Sequence, residues 1–370
     1  MRLVAYADWH VCTTWPFLQL DDFEQVANRI CQYTAEHKPD VVLFLGDRFR
    51  ARQPRGEIRV VADAALRRLA YVQAEHGGLV VCLVGNHDRV SESVGAQDSY
   101  EHIRLFHDVL PNVTVIREPG TYPFSQGAVD WLFHALPTGY QYDATKYQSD
   151  PSRINVFGFH GLVGGAYFDP KGAVVIENGT VVSLADLDSS AWDVVLGGDV
   201  HIPQKFRLTR TVGGYVGATL RLTEADVNDW RGFLDVSVEK GKVEITRVDG
   251  GGPWFAAVQL GVDPATWPDP ALLAGAIVIA TLKGTAAELR AIPDVRVRLH
   301  FEGARIVRVH RRFDHEAPAF IPAITAASTP LDDAVAYIRS SDRTGLDEAR
   351  LIAKARTALG AEPARKGGIF

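Results

Sequence analysis

The sequence is poor in cysteine, with only Cys12, Cys31 and Cys82 scattered through 370 residues. An odd number of widely separated cysteines suggests no disulfide framework of the kind that small secreted domains need. The chain also enters a strand-like apolar run at its first residues, without the pattern of a secretory signal. We therefore expect a protein of a reducing compartment, the cytoplasm.

Long hydrophobic runs and an excess of basic residues are also absent. The longest apolar run, Ala271 to Ala280, is much shorter than the ~20 residues of a membrane-spanning helix. The net charge is −6 and the pI is about 6.1, so the overall charge of the chain does not attract polyanions. Any contact with nucleic acid must come from a local basic surface or from metal ions. The length predicts two domains, or one large domain with an appendage.

Five short apolar runs lead directly into residue types that bind metals. Such runs are typical of buried strands, and in open α/β sheets ligands bind outside the carboxyl ends of the strands. Five ends at one rim would gather Asp, His and Asn side chains into a single cluster. The runs are Leu3 to Ala7 before Asp8 and His10, Val41 to Leu45 before Asp47, Leu79 to Val84 before Asn86 and His87, Ile154 to Phe159 before His160, and Val194 to Leu196 before Asp199 and His201.

Carboxylates and imidazoles without thiolates suit Mn, Fe, Zn or Mg rather than a structural zinc site. Eight such groups exceed the needs of one ion, and a pair of ions bridged by one carboxylate uses them more naturally. Two-metal sites clamp phosphate groups and activate water for in-line displacement.

The remaining patterns predict the layout of the chain. The first part reads as β-α-β-α-β with a mainly parallel sheet, and residues 113–250 read as hairpins and antiparallel strands. Asp21 or Asp22 is expected to cap the first helix. The predicted elements are helices at Asp21–His37, Glu57–Glu75 and 97–110, a strand-like run at Gly172–Val182, a hairpin of Gly232–Val238 with Lys242–Arg247, a strand at Ile277–Leu282, a helix at Ala286–Ala291, strands at Val295–Phe301 and Arg305–Val309, and tail helices at Leu331–Arg339 and Leu346–Leu359.

The ordered motifs resemble those of the calcineurin-like metallophosphoesterases over residues 1–250. They are Asp8-x-His10, Gly46-Asp47-x-Phe49, Gly85-Asn86-His87-Asp88, the lone His160 and Gly198-x-x-His201. The resemblance implies an α/β fold with α+β character, a two-sheet sandwich flanked by helices. It also implies phosphoester hydrolysis by a metal-activated hydroxide.

The resemblance further implies a division of roles. Asp8, His10, Asp47 and His201 would hold one metal, and Asp47 would bridge to a second that is also held by Asn86, His160 and Asp199. His87 would not bind metal but would act on the reacting phosphate or its leaving oxygen. Asp88 would orient His87.

Within the superfamily, the chain looks most like the double-strand-break repair nucleases of the bacterial SbcD type and their archaeal and eukaryotic relatives. Pro54 before a helix, the segment Val200 to Gln204, a small α/β cap at 254–313 and a helical tail at 330–370 carry this likeness. It implies a DNA exo- or endonuclease of DNA repair and recombination, with Mn as the leading metal and Mg, Fe or Zn as alternatives. It also implies a coiled-coil SMC-like ATPase docked on the tail, and a homodimer.

Two positions depart from that branch. Asp199 stands where the family usually has histidine, and Arg50 stands where the branch often has a second histidine. Arg48, Arg50 and Arg52 either grip substrate phosphates or belong to a solvated loop. Trp9 is expected to pack beside the site. Two rival functions stay open: a small-substrate phosphodiesterase or phosphatase of the same superfamily, and a non-catalytic scaffold.

Overall fold

The computed structural model describes residues 1–91, 97–101, 110–126, 129–166, 180–189 and 191–313, together with positions 335, 349–352 and 354. The predicted helix at 97–110, the run Gly172–Val182 and the two tail helices fall mostly outside the described residues and remain predictions. Among the residues that are described, no helix is long and apolar enough to cross a membrane.

The described chain contains strands from Arg2 to Phe313 with helices between them. The strands are β1 (Arg2–Tyr6), β2 (Val41–Phe44), β3 (Leu79–Leu83), β4 (Val113–Ile116), β5 (Gly120–Gln126), β6 (Val129–Leu136), β7 (Ile154–His160), β8 (Leu162–Gly164), β9 (Thr180–Ser183), β10 (Val194–Gly198), β11 (Gln204–Lys205), β12 (Val212–Tyr215), β13 (Gly232–Glu239), β14 (Lys242–Asp249), β15 (Phe255–Leu260), β16 (Ile277–Gly284) and β17 (Ile306–Phe313). The α-helices are α1 (Leu20–His37), α2 (Gly56–Ala74), α3 (Leu184–Leu187), α4 (Ala286–Ala291) and α5 (Asp294–His300).

The first sheet has the order β14-β13-β1-β2-β3-β4. Strands β1 to β4 are parallel, as the β-α-β pattern predicts. The predicted hairpin is also present, because β13 and β14 pair antiparallel and turn at Gly241, whose φ is 76°. The hairpin adds to the sheet through antiparallel pairing of β13 with β1.

The second sheet corrects part of the sequence prediction. Its order is β11-β12-β10-β7-β6-β5, and β6, β7, β10 and β12 are parallel rather than antiparallel. Parallel strands need crossovers, which usually appear as long amphipathic helices. In the described residues of these connections, the α-helix α3 is only four residues long, so it is too short to give the periodic signal of a crossover helix.

The two sheets pack face to face, and alternate residues of each strand face opposite layers. Leu3 and Ala5 of β1 face the second sheet, whereas Val4 and Tyr6 pack against the layer that contains α1 and α2. The outer face of the second sheet carries an aromatic cluster that includes Phe157 and Trp192. This is the mixed α/β sandwich that the resemblance implies, and it brings the carboxyl ends of β1, β2, β3, β7 and β10 to one rim.

Helix α1 begins one residue earlier than predicted. Its N-cap is Gln19, while Asp22 at the third helical position accepts a hydrogen bond from the Gln19 N–H at 2.7 Å. Asp22 therefore closes a capping box instead of serving as the cap. The helix ends at Lys38, whose φ of 47° places it in the left-handed region, just before Pro39.

The described residues divide into two compact units. One contains Met1–Val258, Asp269–Ile279 and Phe301–Arg308, and the other contains Gln259–Pro268, Ala280–His300 and the described residues from Val309 onward. A boundary between a catalytic domain at 1–250 and a cap at 254–313 remains a proposal.

The prediction of a strand at Val295–Phe301 is wrong, because Asp294–His300 forms α5. The alternation of Val, Arg and Leu resembles a strand. However, Val297 and Phe301, four residues apart, are the buried positions, while Val295 and Leu299 are 58% and 64% exposed. Burial at this spacing follows the helical period, which a short alternating sequence conceals.

Candidate metal centre

The rim contains unusual backbone conformations. Asp8, His10, Asp47 and Asp199 have φ angles of 49°, 49°, 62° and 94°. For residues other than glycine, such angles cost about 1–3 kcal/mol each and persist where the surrounding structure enforces them. Lys38 is the one other non-glycine residue with positive φ in the described ranges, so backbone strain is concentrated at the predicted ligands.

Backbone hydrogen bonds hold the loops after β1 and β2 together. The N–H groups of Asp8, His10 and Val11 donate to the carbonyl oxygens of Gly46, Asp47 and Arg48, each at 3.0 Å. This ladder of hydrogen bonds joins the two loops and sets the backbone positions of Asp8, His10 and Asp47 relative to one another.

The buried carboxylate of Asp88 ties the loop after β3 to the loop after β2. It accepts hydrogen bonds from the N–H groups of Asp47, Arg48 and Gly85 at 2.9, 3.0 and 3.0 Å. Burial, with a contribution from the charge of Asp47, raises the pKa of Asp88 to about 6. The expectation that Asp88 orients His87 is wrong, because the Asp88 oxygens serve this backbone instead.

Two glycines allow the loops to approach closely. A Cβ at Gly85 would lie 2.3 Å from Asp47 Oδ1, and a Cβ at Gly198 would lie 2.2 Å from the Leu45 carbonyl oxygen. Any larger residue at either position would displace the side chains of the rim.

Asp47 lies at the centre of the rim cluster, which we define as Asp8, His10, Asp47, Asn86, His87, His160, Asp199 and His201. Its Oδ2 lies 3.5 Å from His10 Nε2, and its Oδ1 lies 3.3 Å from His160 Nε2. The two oxygens of one buried carboxylate thus face two different histidines. This is the arrangement expected of a carboxylate that bridges two ions.

On the Oδ2 side, His10 Nε2 and His201 Nε2 lie 2.9 Å apart. Two nitrogens bound to one ion at about 2.1 Å and about 90° to each other would be about 3.0 Å apart. Asp8 completes a group whose ligand atoms lie within 4.8 Å of one another. Burial lowers the pKa of His10 to about 3, so its imidazole is neutral and offers a lone pair. These donors fit a divalent cation.

On the Oδ1 side, His160 is fully buried, and its Nδ1 donates to the Leu45 carbonyl oxygen at 2.6 Å. That bond leaves Nε2 facing Asp47, with Asn86 Oδ1 at 2.9 Å and Asp199 Oδ1 at 3.8 Å. A reversed Asn86 amide would instead donate to His160 Nε2 at 2.9 Å. Metal binding requires the amide oxygen to face the site, because the NH₂ group has no free lone pair.

The carboxylates and His160 are electrostatically coupled. Burial raises the pKa of Asp8 and of Asp199. Burial opposes the charge on Asp47 as well, but the adjacent His160 imidazole outweighs it and holds the pKa of Asp47 below its usual range. Burial lowers the pKa of His160, but the surrounding carboxylates, Asp47 above all, outweigh it and raise that pKa. Three carboxylates around one imidazole form an anionic site that suits divalent cations.

His87 lies beside this cluster in a different hydrogen-bonding environment. Its Nδ1 must carry a proton, because it contacts the Arg50 carbonyl oxygen at 2.6 Å. Its backbone N–H donates to Asp47 Oδ1 at 2.9 Å, and its ring packs edge-on against His10 with centroids 5.0 Å apart. His87, His10 and Asp47 also form a group whose ligand atoms lie within 4.8 Å of one another, so the geometry permits either role.

The arginines of the loop after β2 occupy different environments. Arg48 is buried, its Nη2 pairs with Asp63, and its guanidinium lies over Phe49 and Tyr100. The expectation that Arg48 grips substrate is therefore wrong, because the motif places this side chain in the core. Arg50 is exposed and Arg52 is half-buried.

Sequence reasoning missed two contributors to the rim. The Leu45 carbonyl oxygen sets the tautomer of His160, and no sequence pattern reveals a backbone acceptor. Trp15 packs against Arg50, with 3.7 Å between the ring centroid and Arg50 Cζ. Its position five residues after His10 was the only available signal. Trp9, in contrast, is buried in the core as expected.

The chain is similar to several known proteins. The chain is 27% identical over 228 residues to the DNA double-strand break repair protein Mre11 of Haloferax volcanii, an alignment that covers 61% of this chain and 46% of that protein. The chain therefore spans about half the length of that relative. The structural comparison also found an archaeal phosphodiesterase (8% identity, 67% of this chain, 100% of that one, TM-score 0.35) and the phosphopantetheinyl hydrolase of Mycobacterium tuberculosis (14%, 58%, 89%, 0.36). The family model for calcineurin-like phosphoesterases matches residues 1–203. More than half of the chain, including the entire rim cluster, thus matches the family, and the protein belongs to the calcineurin-like phosphoesterases.

Proposed function

We propose that the protein is a two-metal DNA nuclease that acts in DNA repair and recombination. The observation that supports this most strongly is the position of Asp47, whose two oxygens face His10 and His160 on opposite sides. The similarity to a double-strand-break repair protein favours DNA over other phosphodiesters. Members of the family bind divalent metals, and the rim cluster provides suitable donors on both sides of Asp47.

In this proposal the ligands form two sets that share Asp47. Divalent ions held there would neutralise the phosphate and lower the pKa of a water molecule. We favour Mn, because three carboxylates and an amide are hard donors, whereas three histidines also accept softer transition metals. Mg, Fe and Zn are the alternatives. The first set is Asp8, His10, Asp47 and His201, and the second is Asp47, Asn86, His160 and Asp199.

The chain itself would supply orientation and a proton. The Leu45 carbonyl oxygen keeps the lone pair of His160 directed at Asp47. The Arg50 carbonyl oxygen accepts a hydrogen bond from His87 Nδ1, which leaves Nε2 as the other nitrogen of the ring. Protonation of His87 at Nε2 would then let this edge of the ring donate to the leaving oxygen of the substrate.

Single-turnover digestion of end-labelled duplex DNA with Mn tests the proposal. We expect cleavage by the wild-type protein and none by Asp47→Asn, which keeps the size of the side chain but loses its charge. Hydrolysis of small phosphodiesters without any DNA cleavage would move the assignment to a small-substrate phosphodiesterase. Failure to retain any metal would favour a scaffold.

The partners of the proposed nuclease follow from the same similarity. We propose that it works in the cytoplasm on DNA, with an SMC-like coiled-coil ATPase docked on the tail at 330–370, most of which lies outside the described residues, and as a homodimer. Co-purification of the full chain with such an ATPase, and loss of that association after deletion of residues 330–370, would test the docking proposal.

A further inference from the structure

Arg50 is an exposed residue whose backbone is held beside the rim cluster by two hydrogen bonds. Its backbone carbonyl oxygen accepts the hydrogen bond from His87 Nδ1 at 2.6 Å. Its backbone N–H donates to the Val11 carbonyl oxygen at 3.4 Å, next to the ladder that fixes His10. The Arg50 side chain therefore begins one hydrogen bond from the His87 imidazole, on a backbone that is held in place.

The Arg50 guanidinium lies over the indole ring of Trp15, with 3.7 Å from Cζ to the ring centroid. The indole is anchored in turn, because Trp15 Nε1 donates to the His10 carbonyl oxygen at 3.3 Å. When a guanidinium stacks on an aromatic ring, its planar face contacts the ring and its N–H groups point outward from its edge. These N–H groups remain able to bind an anion bidentately. A flexible surface cation is thus converted into one with a defined position.

The charge of Arg50 is not neutralised within the described part of the chain, where no carboxylate forms an ion pair with it. The neighbouring Arg48 behaves differently, because it is buried and paired with Asp63. Arg50 is therefore the exposed, stacked cation beside the rim cluster. A planar guanidinium held in this way is the preferred protein partner for a phosphate group.

We propose that Arg50, positioned by Trp15, binds the substrate phosphate that neighbours the cleaved one on the leaving-group side. This inference rests on the proposed nuclease function and specifies its substrate class. In the proposed mechanism His87 acts on the leaving oxygen, and the Arg50 backbone is hydrogen-bonded to His87. The phosphate nearest to Arg50 would then be the next one along the strand on the leaving-group side. The preferred substrate is then a polynucleotide with two adjacent charged linkages, rather than a monoester or an isolated diester.

The test is a double-mutant cycle between the protein and the substrate. Short labelled oligonucleotides carry either a normal linkage or an uncharged methylphosphonate next to the cleaved bond, and kcat/KM is measured with saturating Mn. For the wild-type protein we expect the uncharged linkage to lower kcat/KM by about 10–100-fold, the range of a charge-assisted hydrogen bond. For Arg50→Gln we expect reduced cleavage of the normal substrate and little further loss from the uncharged linkage.

Two more variants separate a specific contact from general damage. Arg59→Ala removes an exposed cation at the start of α2, and it should retain the full penalty for the uncharged linkage. Trp15→Ala should shrink that penalty and Trp15→Phe should restore most of it, because an aromatic face is what positions Arg50. A merely structural role for Trp15 would lower cleavage of both substrates equally.

The outcomes distinguish this inference from the proposed function. An equal penalty in wild-type and Arg50→Gln proteins, or no penalty in the wild type, would overturn the role of Arg50 and leave the nuclease assignment in place. The penalty for the uncharged linkage is measured with the wild-type protein alone. The inference can therefore be refuted even if the Arg50→Gln protein misfolds. Hydrolysis of small diesters with no cleavage of any oligonucleotide would overturn both.

Discussion

Replacement of His87 by alanine separates chemistry from metal binding. The side chain is half-buried, and its Nδ1 donates a hydrogen bond to the Arg50 carbonyl oxygen. The bond that helps to hold Asp47 comes from the backbone N–H of His87 and survives the substitution. We therefore expect two bound ions to remain and the free energy of unfolding to fall by only about 1 kcal/mol.

The same substitution should strongly reduce turnover. A group that protonates a leaving oxygen or stabilises the reacting phosphate contributes about 10²–10⁴-fold in rate, which corresponds to roughly 3–5 kcal/mol. Steady-state hydrolysis and elemental analysis on the same preparation measure both effects. His160→Ala is the matched comparison, because it removes a fully buried imidazole that faces Asp47 and should lose metal together with activity.

The ligand atoms of His87, His10 and Asp47 also lie within 4.8 Å of one another, so metal binding by His87 is the alternative that this experiment tests. If His87→Ala loses an ion along with its activity, His87 is a ligand, and its proposed role in protonating the leaving oxygen is wrong.

Three further predictions concern the packing, the charge and the metal dependence of the protein. Gly85→Ala should weaken metal binding at least about tenfold in calorimetric titration, since its Cβ would lie 2.3 Å from Asp47 Oδ1, whereas Gly56→Ala, with no atom within 4 Å, should not. Asp235→Asn should lower the free energy of unfolding at neutral pH by about 1–2 kcal/mol, because Asp235 forms two hydrogen bonds with Arg2. Although burial opposes its charge, Arg2 holds the pKa of Asp235 below its usual range. This stabilisation is present above about pH 4, the pKa of Asp in the unfolded chain, and is lost as the pH falls through the pKa of Asp235 in the folded protein. Urea titrations would contradict it if the free energies of unfolding of the wild type and the variant still differed fully in strong acid. Chelation should lower the melting temperature and Mn should restore it, because bound cations relieve the repulsion among buried carboxylates; an unchanged melting temperature would argue against metal binding at the rim.

The sequence predicted the strand ends that form the rim, because each combines an apolar run with a ligand residue and needs no knowledge of distant contacts. It also located the β13–β14 hairpin, whose turn chemistry is local. The parallel pairing of β6, β7, β10 and β12 could not be predicted in the same way. The described residues of their connections contain little helix, so no helical periodicity there indicates the direction of the strands.

Within the site, residue types were easier to predict than their orientations. Asp88 and Arg48 belong to recognisable motifs, but both turn away from the expected contacts, to the backbone of neighbouring loops and to Asp63 respectively. The position of Trp15 over Arg50 depends on how two loops fold together. Sequence spacing places Trp15 close to His10 but does not reveal its contact with Arg50.

The most direct test of the two-metal centre is a crystal structure of the Mn-loaded protein with anomalous data at the Mn absorption edge. We predict two peaks bridged by the Asp47 carboxylate, one beside His10 and His201 and the other beside His160 and Asn86. A single peak, or ions remote from Asp47, would contradict the account.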